Sequence, residues 1–181
     1  MGVDPFAYRQ VAGRLATGVT VLSTVGKDRH EVMTANAVVS VSLEPVLLLA
    51  SVQVECRWAT AARATGSFAV NVLSEDQQDL SRWCSSRRRH DEPQEVLRHP
   101  CRTGRVTGAL LFEGSLASFE CALHSVHRVG DHDLMVGEVL DMSLRDTGRP
   151  LLFFQSEYVG VSRLDADNEQ WSEDRRNVAV C

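Results

Sequence analysis

Runs of β-branched residues separated by short polar segments constrain the fold of this chain more than any other feature of its sequence. Two such runs, 19–25 (VTVLSTV) and 31–43 (EVMTANAVVSVSL), flank the polar segment 26–30, and this arrangement predicts a β-hairpin. The second run is richer in threonine, serine and asparagine than a simple core strand. Many hairpin-connected strands with few helices are typical of an antiparallel barrel and disfavour a parallel α/β sheet.

Later segments extend the same pattern. Residues 46–52 form an apolar run that we expect to be buried on both faces of the sheet. Residues 115–129 alternate between apolar and polar side chains, and after a turn at 130–131 the even positions of 134–144 are apolar. The last two segments therefore predict a long hairpin. Its return strand has Glu138 as the one inward polar residue, either paired with an arginine or placed at a cleft.

Helices are predicted in three places. Asp4 is a favourable N-cap with proline at the first helical position, so a short helix begins there. Residues 57–65 are rich in alanine and precede a glycine, which is typical of a helix with its C-cap. Ser74 and Gln77 have the spacing of a capping box, which indicates a third helix.

Length and charge exclude several classes of protein. A chain of 181 residues with 44% hydrophobic residues fits one domain, expected over 1–164, and the charged segment 165–181 is expected to be a mobile tail. The net charge of -5 argues against nucleic-acid binding. No apolar run approaches the roughly 20 residues of a membrane helix. Lys27 is the only lysine among 19 basic residues, so chemistry that needs a buried lysine is nearly excluded.

The cysteines do not indicate a disulfide scaffold or a zinc site. All 5 are widely spaced, and no two form a CxxC pair, so we predict no metal site. Asp4 stands where a secretory peptide would carry its basic region. We therefore expect a cytoplasmic protein with reduced thiols.

The chain has no GxGxxG, GxxxxGK[ST] or GxSxG fingerprint, so the motifs of a Rossmann site, a P-loop and a hydrolase nucleophile elbow are all missing. The segment 33–42 is instead the strongest candidate for a binding site. Small side chains there could lie against a flat polar ring, and hydroxyls beyond them could bind a phosphate without a lysine. The same composition also fits an edge strand whose hydroxyls satisfy local backbone groups.

The stretch MTANAVVSVSL, followed by Glu44 and Pro45, resembles the flavin reductase family, whose fold is the FMN-binding split barrel. Further points of likeness are SFAVNVLSEDQQDLS at 67–81, Phe119–Glu120–Cys121, Gly130–Asp131–His132 with VGEV at 136–139, and Pro150–Leu151–Leu152. They follow in the family's order over roughly residues 6–164. The resemblance implies a mainly β chain, an antiparallel, Greek-key-like split β-barrel with a few short peripheral helices.

The resemblance also implies an NAD(P)H:flavin oxidoreductase. Such an enzyme transfers a hydride from NADH, less expectedly NADPH, to FAD or FMN and releases reduced flavin for a separate monooxygenase. In the family the flavin ring lies along the strand matching 34–37, and its phosphate meets the segments matching 40–42 and 51–57. His132 is then the implied catalytic residue, which positions the nicotinamide, although alone it fits an exposed turn histidine. The candidate cofactor-binding residues are Met33, Thr34, Ala35, Asn36, Ala37, Ser40, Val41, Ser42, Ser51, Cys56, Arg57, Arg87, Arg88 and Tyr158.

Two basic segments bear on the phosphate. Many members have Ser-Arg-Thr where this chain has Cys56–Arg57–Trp58, so a hydroxyl is lost and an indole is gained, and the choice between FMN and FAD stays open. The run Arg87–Arg89 lies where the family can reach the phosphates or the adenosine end of the flavin. It also fits a solvated basic turn at the start of the polar, aperiodic loop 87–108.

The amino-acid sequence leaves three questions open: the oligomeric state and two alternative functions. The family is usually homodimeric, but the aromatic residues fit either an interface or ordinary core packing. A split-barrel protein that binds flavin or haem without serving NADH is an alternative to the enzyme. An oxidase of pyridoxamine phosphate is a second alternative, although the turn at 130–132 matches the reductase pattern better.

Overall fold

The computed structural model describes residues 2–161, and the tail expected at 165–181 lies outside them. The strands of the described part are β1 (Thr17–Gly18), β2 (Thr20–Val25), β3 (His30–Ala35), β4 (Val38–Leu43), β5 (Val46–Gln53), β6 (Ser67–Val72), β7 (Cys101–Thr103), β8 (Leu110–Phe112), β9 (Ala117–Val129), β10 (His132–Leu144), β11 (Leu152–Phe154) and β12 (Glu157–Val159). Its α-helices are α1 (Pro5–Ala12), α2 (Arg57–Thr65), α3 (Gln78–Ser85) and α4 (Arg88–Asp91), with short 3-10 helices at Glu75–Gln77 and Pro93–Arg98.

An antiparallel sheet of seven strands, in the order β3-β2-β6-β9-β10-β5-β4, forms the body of the protein, which confirms the predicted mainly β class. β3 and β4 follow each other in sequence but lie at opposite edges of this sheet, and only Asn36 and Ala37 join them. The Ser51 N–H donates to the Ala37 carbonyl over 2.8 Å, so β5 passes beside this joint. The sheet is therefore curled, and the strand predicted as one element over 31–43 is two strands.

Two apolar clusters fill the curled sheet and the space beneath its helices. One contains Leu22, Phe68 and Met135 together with Trp58 of α2. The other joins Val21 and Leu80 and lies beneath α3. The small sheet β1-β11-β12 closes one end of the second cluster, so this sheet stands next to the Asn36–Ala37 joint.

The inward face of β10 is opposite to the predicted one. Asp133, Met135 and Gly137 are buried, whereas Glu138 is exposed and its side chain makes no hydrogen bond or ion pair within residues 2–161. Gly137 explains this choice of face, because a Cβ at that position would overlap the Phe68 ring. The prediction that Glu138 faces inward, with an arginine partner or at a cleft, is therefore wrong.

β5 also departs from its prediction, because only one of its faces is buried. Leu48, Ala50 and Val52 are buried, whereas Leu47 and Leu49 on the other face stay partly exposed. The reason is the position of β5 next to the edge strand β4, where residues 2–161 place no second layer over the outer face.

Glu120 of β9 is one of the polar residues of the alternating segment 115–129, yet it is only 2% exposed. Its carboxylate accepts hydrogen bonds from the N–H groups of Arg105 (3.1 Å), Val106 (3.0 Å) and Thr107 (2.7 Å) and from the Thr107 hydroxyl (2.8 Å). Burial raises the pKa of Glu120, but these hydrogen bonds outweigh it and hold the pKa below its usual value. The segment expected as one loop over 87–108 thus contains α4, a 3-10 helix and β7. Its residues 105–107 surround the Glu120 carboxylate with hydrogen-bond donors, an arrangement that we call the Glu120 cage.

Local helix signals were confirmed. The Asp4 carboxylate accepts from the N–H groups of Phe6 (3.3 Å) and Ala7 (3.0 Å), and α1 begins at Pro5. α2 spans the predicted residues, with its C-cap glycine at φ 68. The Gln77 side chain accepts from the Ser74 N–H over 3.1 Å, as the capping box requires. None of the helices within residues 2–161 is long and apolar enough to cross a membrane.

Candidate active site

Two adjoining clefts lie at the joint between β3 and β4, and both are lined by Asn36 and Phe153. One, of about 220 Å³, also has Thr34 and Tyr158 in its wall. The other, of about 210 Å³, is bordered by Ala37. Four of the predicted cofactor-binding residues thus line these clefts: Thr34, Asn36 and Ala37 from one segment, and Tyr158 from more than a hundred residues later in the chain.

Internal hydrogen bonds brace the wall of the first cleft. The Thr34 hydroxyl donates to the Ser81 carbonyl over 2.6 Å, and the hydroxyls of Ser81 and Tyr158 lie 2.8 Å apart. The Phe153 and Tyr158 rings meet edge to face with centroids 5.6 Å apart. The Arg82 guanidinium lies over Tyr158, 5.7 Å from the ring centroid. These contacts fix an aromatic wall at one side of the joint.

The joint offers unpaired polar groups to a flat ring. β3 and β4 are the two edge strands of the sheet, and edge strands present backbone N–H and C=O groups that no neighbouring strand binds. The Thr17 hydroxyl in the wall of the second cleft is buried and has no hydrogen-bond partner among the described residues. The small side chain of Ala37 lets a ring approach the backbone in the second cleft, whereas Ala35 is buried in the core and lines neither cleft. The residues present therefore fit a flavin ring, which has an apolar face and a polar edge.

The predicted phosphate segments lie on β4, β5 and α2. Ser40 and Ser42 are on the edge strand β4 with Val41 at a register shift between them, and Ser51 lies on β5 beside Ala37. The Ser42 hydroxyl accepts from the Glu44 N–H over 3.1 Å. Exposed backbone and hydroxyl groups are thus available next to the joint.

Cys56 brings the beginning of α2 next to β3. Its sulfur caps the helix by accepting from the Ala59 N–H over 3.4 Å, and it lies 3.9 Å from the Met33 sulfur. Burial raises the pKa of the Cys56 thiol, so it stays protonated at neutral pH. The Trp58 indole is 2% exposed and packs on Phe68 with ring centroids 5.4 Å apart. It points into the core and does not obstruct the phosphate segment.

Two arginines, Arg57 and Arg89, act electrostatically on His90 near the beginning of α2. Arg57 is the first residue of α2 and is exposed, and Arg89 and His90 belong to α4. Burial lowers the pKa of His90, and the charges of Arg89 and Arg57 lower it further. Arg89 also acts on the Cys56 thiol. Arg89, the last residue of the predicted basic run, is therefore within electrostatic range of the phosphate segment, and its guanidinium also donates to the Ser86 carbonyl over 2.7 Å.

Arg88 is engaged in ion pairs within its own segment, and Arg87 is exposed to solvent. The Arg88 guanidinium binds the carboxylates of Glu92 (3.1 Å) and Glu95 (2.9 Å), and Arg87 is exposed at the N-terminal flank of α4. The amino-acid sequence carries no signal that separates Arg88 from Arg89, because only the helical phase of α4 decides which guanidinium faces α2.

His132 is the first residue of β10 and lies opposite Gln53 at the end of β5. Its Nδ1 is 2.8 Å from an Asp131 carboxylate oxygen, and this hydrogen bond lowers the pKa of Asp131. Gln53 lies two residues beyond Ser51, or about 7 Å along the strand. Since Ser51 binds Ala37, His132 lies at the same end of the sheet as the joint.

Asp133 anchors the turn that carries His132. It is 1% exposed, and its two oxygens bind Arg63 of α2 and the Arg128 Nε, the latter over 2.8 Å. The Arg128 and Arg63 guanidinium groups hold the pKa of Asp133 below its usual value, with the Arg128 hydrogen bond the largest contribution. The ion pair to Arg63 ties this turn to α2, so His132 and the phosphate segment are parts of one connected structure.

Comparisons with known proteins agree with this geometry. The family model of the flavin reductase like domain matches residues 12–162. The flavin-dependent monooxygenase reductase subunit HsaB of Mycobacterium tuberculosis is 35% identical over 175 residues, which cover 95% of this chain and 90% of that protein. An NADH-dependent flavin reductase of Rhodococcus sp is 34% identical over 173 residues, 93% of each chain.

A solved structure extends this agreement to the fold. BorF, the flavin reductase component of a bacterial two-component tryptophan halogenase, aligns with a TM-score of 0.82 at 36% identity and covers 87% of this chain and 98% of that chain. The predicted split-barrel fold is thereby confirmed. With its sequence order, its open joint and these matches, the chain belongs to the flavin reductase like domain family.

Proposed function

We propose that this protein is an NADH-dependent flavin reductase that reduces FAD or FMN and releases the reduced flavin to a separate flavin-dependent monooxygenase. The observation that carries this proposal is the joint between β3 and β4, where small residues, unpaired backbone groups and a braced aromatic wall meet. The flavin, when bound there, accepts a hydride from NADH, and little acid or base chemistry is required of the protein. The task of the chain is therefore to bind, to orient and to exclude water.

The ring-binding part of the site consists of Met33, Thr34, Ala35, Asn36, Ala37 and Tyr158. The backbone of 34–37 binds the polar edge of the ring, because β3 is an edge strand with unpaired groups. Tyr158 closes one side through its bond to Ser81 and its contact with Phe153. The small side chains leave room for the ring at the backbone and keep its other face open for the nicotinamide.

The phosphate-binding part consists of Ser40, Val41, Ser42, Ser51, Cys56, Arg57 and Arg87. We add Arg89 to these residues because its charge acts on the Cys56 thiol, whereas the Arg88 guanidinium is bound to the carboxylates of Glu92 and Glu95. The first turn of α2 supplies N–H groups and a positive dipole end. Arginine forks and hydroxyls replace the lysines that the chain lacks.

His132 positions the nicotinamide. Its Nδ1 is bound to Asp131, which fixes the ring and leaves Nε2 available for the carboxamide. Asp133 holds the same turn against α2, so the histidine stands on a rigid support. The role is one of orientation, since hydride transfer between the two rings needs no proton from the protein.

A second copy of this chain is the proposed occupant of the apolar surface of β4, β5 and β10. The exposed large side chains of this surface are between 45% and 80% exposed: Val39, Val41, Leu43, Val46, Leu140, Met142 and Leu144. Monomeric proteins rarely expose so many apolar side chains on adjoining strands. α1 buries none of its residues within one copy, although Phe6 and Val11 are apolar. A homodimer would cover both elements.

We further propose that the protein acts in the cytoplasm. The described cysteines, Cys56, Cys84, Cys101 and Cys121, are free thiols, which a reducing compartment preserves. A reductase that consumes NADH needs the same compartment.

Steady-state oxidation of NADH and NADPH, each with FMN, FAD and riboflavin, tests the function. We expect NADH oxidation that depends on added flavin and that is slower with NADPH. A protein that binds flavin tightly but does not oxidise NADH would contradict the enzymatic proposal, and a protein that neither binds flavin nor oxidises NADH would contradict the whole assignment. Light scattering after gel filtration tests the dimer, for which a mass of one chain would be the contrary result.

A further inference from the structure

The Thr17 hydroxyl is an unsatisfied polar group in a well-satisfied neighbourhood. Its Oγ1 is closed off from solvent and has no hydrogen-bond partner within residues 2–161. The hydroxyls of Thr20, Ser23 and Thr24 on the adjacent strand all donate to backbone carbonyls, at 2.6, 2.7 and 2.7 Å. Leaving a buried hydroxyl unpaired destabilises a fold, so a protein that keeps one has another use for it or tolerates a cost.

Thr17 lies in the wall of the second cleft. It is on β1 opposite Phe153, and it lines the cleft together with Asn36, Ala37 and Ser156. Thr17 and the predicted ring-binding residues Asn36 and Ala37 therefore line the same space. The amino-acid sequence carries no signal at Thr17, because its partner strand follows more than a hundred residues later in the chain.

The turn that faces Thr17 carries backbone strain. Gln155 and Ser156, the two residues between β11 and β12, have φ angles of 52 and 66, a left-handed conformation that favours glycine and asparagine. The Gln155 N–H donates to the Gly13 carbonyl over 2.9 Å, which holds the turn against the end of α1. Strained residues of this kind concentrate at sites that bind ligands. Ser156 is thereby held in the wall of the cleft.

We propose that Thr17 is a ring-binding residue whose hydroxyl donates a hydrogen bond to a carbonyl oxygen on the polar edge of the bound flavin. Rotation about χ1 exchanges the positions of the hydroxyl and the methyl group, and this rotation brings the hydroxyl to the cleft. The bound ring then supplies the acceptor that the described residues do not. This inference rests on the proposed function and assigns a residue to the same site.

Thr17→Val tests the proposal, because it keeps the shape of the side chain and removes the hydroxyl. Without flavin, the variant should unfold at a higher temperature than the wild type, since it loses an unpaired buried group. Its dissociation constant for riboflavin, measured by fluorescence quenching, should rise about tenfold, the usual effect of one hydrogen bond. The dissociation constants for FMN and FAD should rise by the same factor, because the contact is with the ring that all three flavins share. Thr17→Ser, which keeps the hydroxyl, should restore binding.

Ser74→Ala is the matched control. The Ser74 hydroxyl is likewise closed off from solvent, and Ser74 lines neither cleft. This variant should leave the riboflavin dissociation constant unchanged.

Three results would overturn the proposal: riboflavin affinity of T17V equal to that of the wild type, weakening confined to FMN and FAD, or an effect confined to the KM for NADH. A wild-type protein that does not bind riboflavin would instead overturn the proposed function, and Thr17 with it.

Discussion

Replacing Glu120 by glutamine should destabilise the protein strongly while leaving the flavin site intact. The change removes the charge and turns one carboxylate oxygen into an NH₂ group. Oε2 accepts from the Val106 and Thr107 N–H groups and from the Thr107 hydroxyl, whereas Oε1 accepts only from the Arg105 N–H. The glutamine therefore keeps its oxygen on the crowded side and places its NH₂ group against the Arg105 N–H, where two donors face each other.

The size of the effect follows from these four bonds. Hydrogen bonds to a charged acceptor contribute roughly 1.5–3 kcal/mol and neutral ones roughly 0.5–1.5 kcal/mol. Three bonds change from charged to neutral, at a loss of about 1 kcal/mol each, and the fourth, a charged bond of about 2 kcal/mol, is lost outright. The free energy of unfolding should fall by about 5 kcal/mol, which lowers the Tm by about 15 °C for a domain of this size.

Urea and thermal unfolding at pH 7, without flavin, measure this loss. Glu138→Gln is the control, because Glu138 is an exposed glutamate on the neighbouring strand, and its change should stay below about 0.5 kcal/mol. Near room temperature the flavin affinity and NADH oxidation of E120Q should match the wild type, since the Glu120 cage lies outside both clefts at the joint.

The pH dependence gives a second check. The folded state holds the pKa of Glu120 below its ordinary value of about 4.5, so the carboxylate contributes its full stability above that pH. The contribution is lost as the pH falls through the folded pKa. The difference between wild type and E120Q should therefore shrink in acid. A difference under about 0.5 kcal/mol at pH 7, or one that does not shrink in acid, would refute the reasoning.

The remaining predictions concern the site and the dimer. His132→Ala should raise the KM for NADH about tenfold and leave flavin binding unchanged, and equal losses in both would contradict the role in nicotinamide positioning. Arg89→Gln should raise the KM for FMN about tenfold but not that for riboflavin, whereas Arg88→Gln should change neither. If Arg88→Gln raises the KM for FMN and Arg89→Gln does not, the phosphate contact belongs to Arg88. Leu140→Glu should convert a dimer into a monomer in light scattering, and a dimer that survives it excludes this surface.

Sequence signals that act over a few residues predicted structure well. The Asp4 cap, the helix at 57–65 and the capping box at Ser74 were confirmed, because a cap depends on N–H groups within the same turn. The order of the motifs along the chain also led to the right family, since it samples the whole domain.

Signals that depend on the tertiary fold failed. Alternation in β10 is apolar on the even positions, but the face that packs on Phe68 is the odd one, with a glycine and a charged residue in it. A pattern of period two cannot show which face of a strand is buried when both the core-facing side and the exposed side carry apolar residues. The break at Asn36 was missed for a similar reason, because no proline or glycine marks it. Thr17 became a candidate, and Arg89 was distinguished from Arg88, only through residues distant in sequence.

The hairpin turn between β2 and β3 makes this protein convenient to attach to surfaces. Lys27, the only lysine in the chain, is exposed in that turn. β3 leads away from it for six residues before it reaches Asn36, a span of about 20 Å. Amine-reactive biotin or a fluorophore, applied with the N-terminal amine blocked, would therefore label one position per chain and leave both clefts free. The same scarcity of lysines that shaped phosphate recognition thus allows an oriented, uniformly labelled sensor without any substitution.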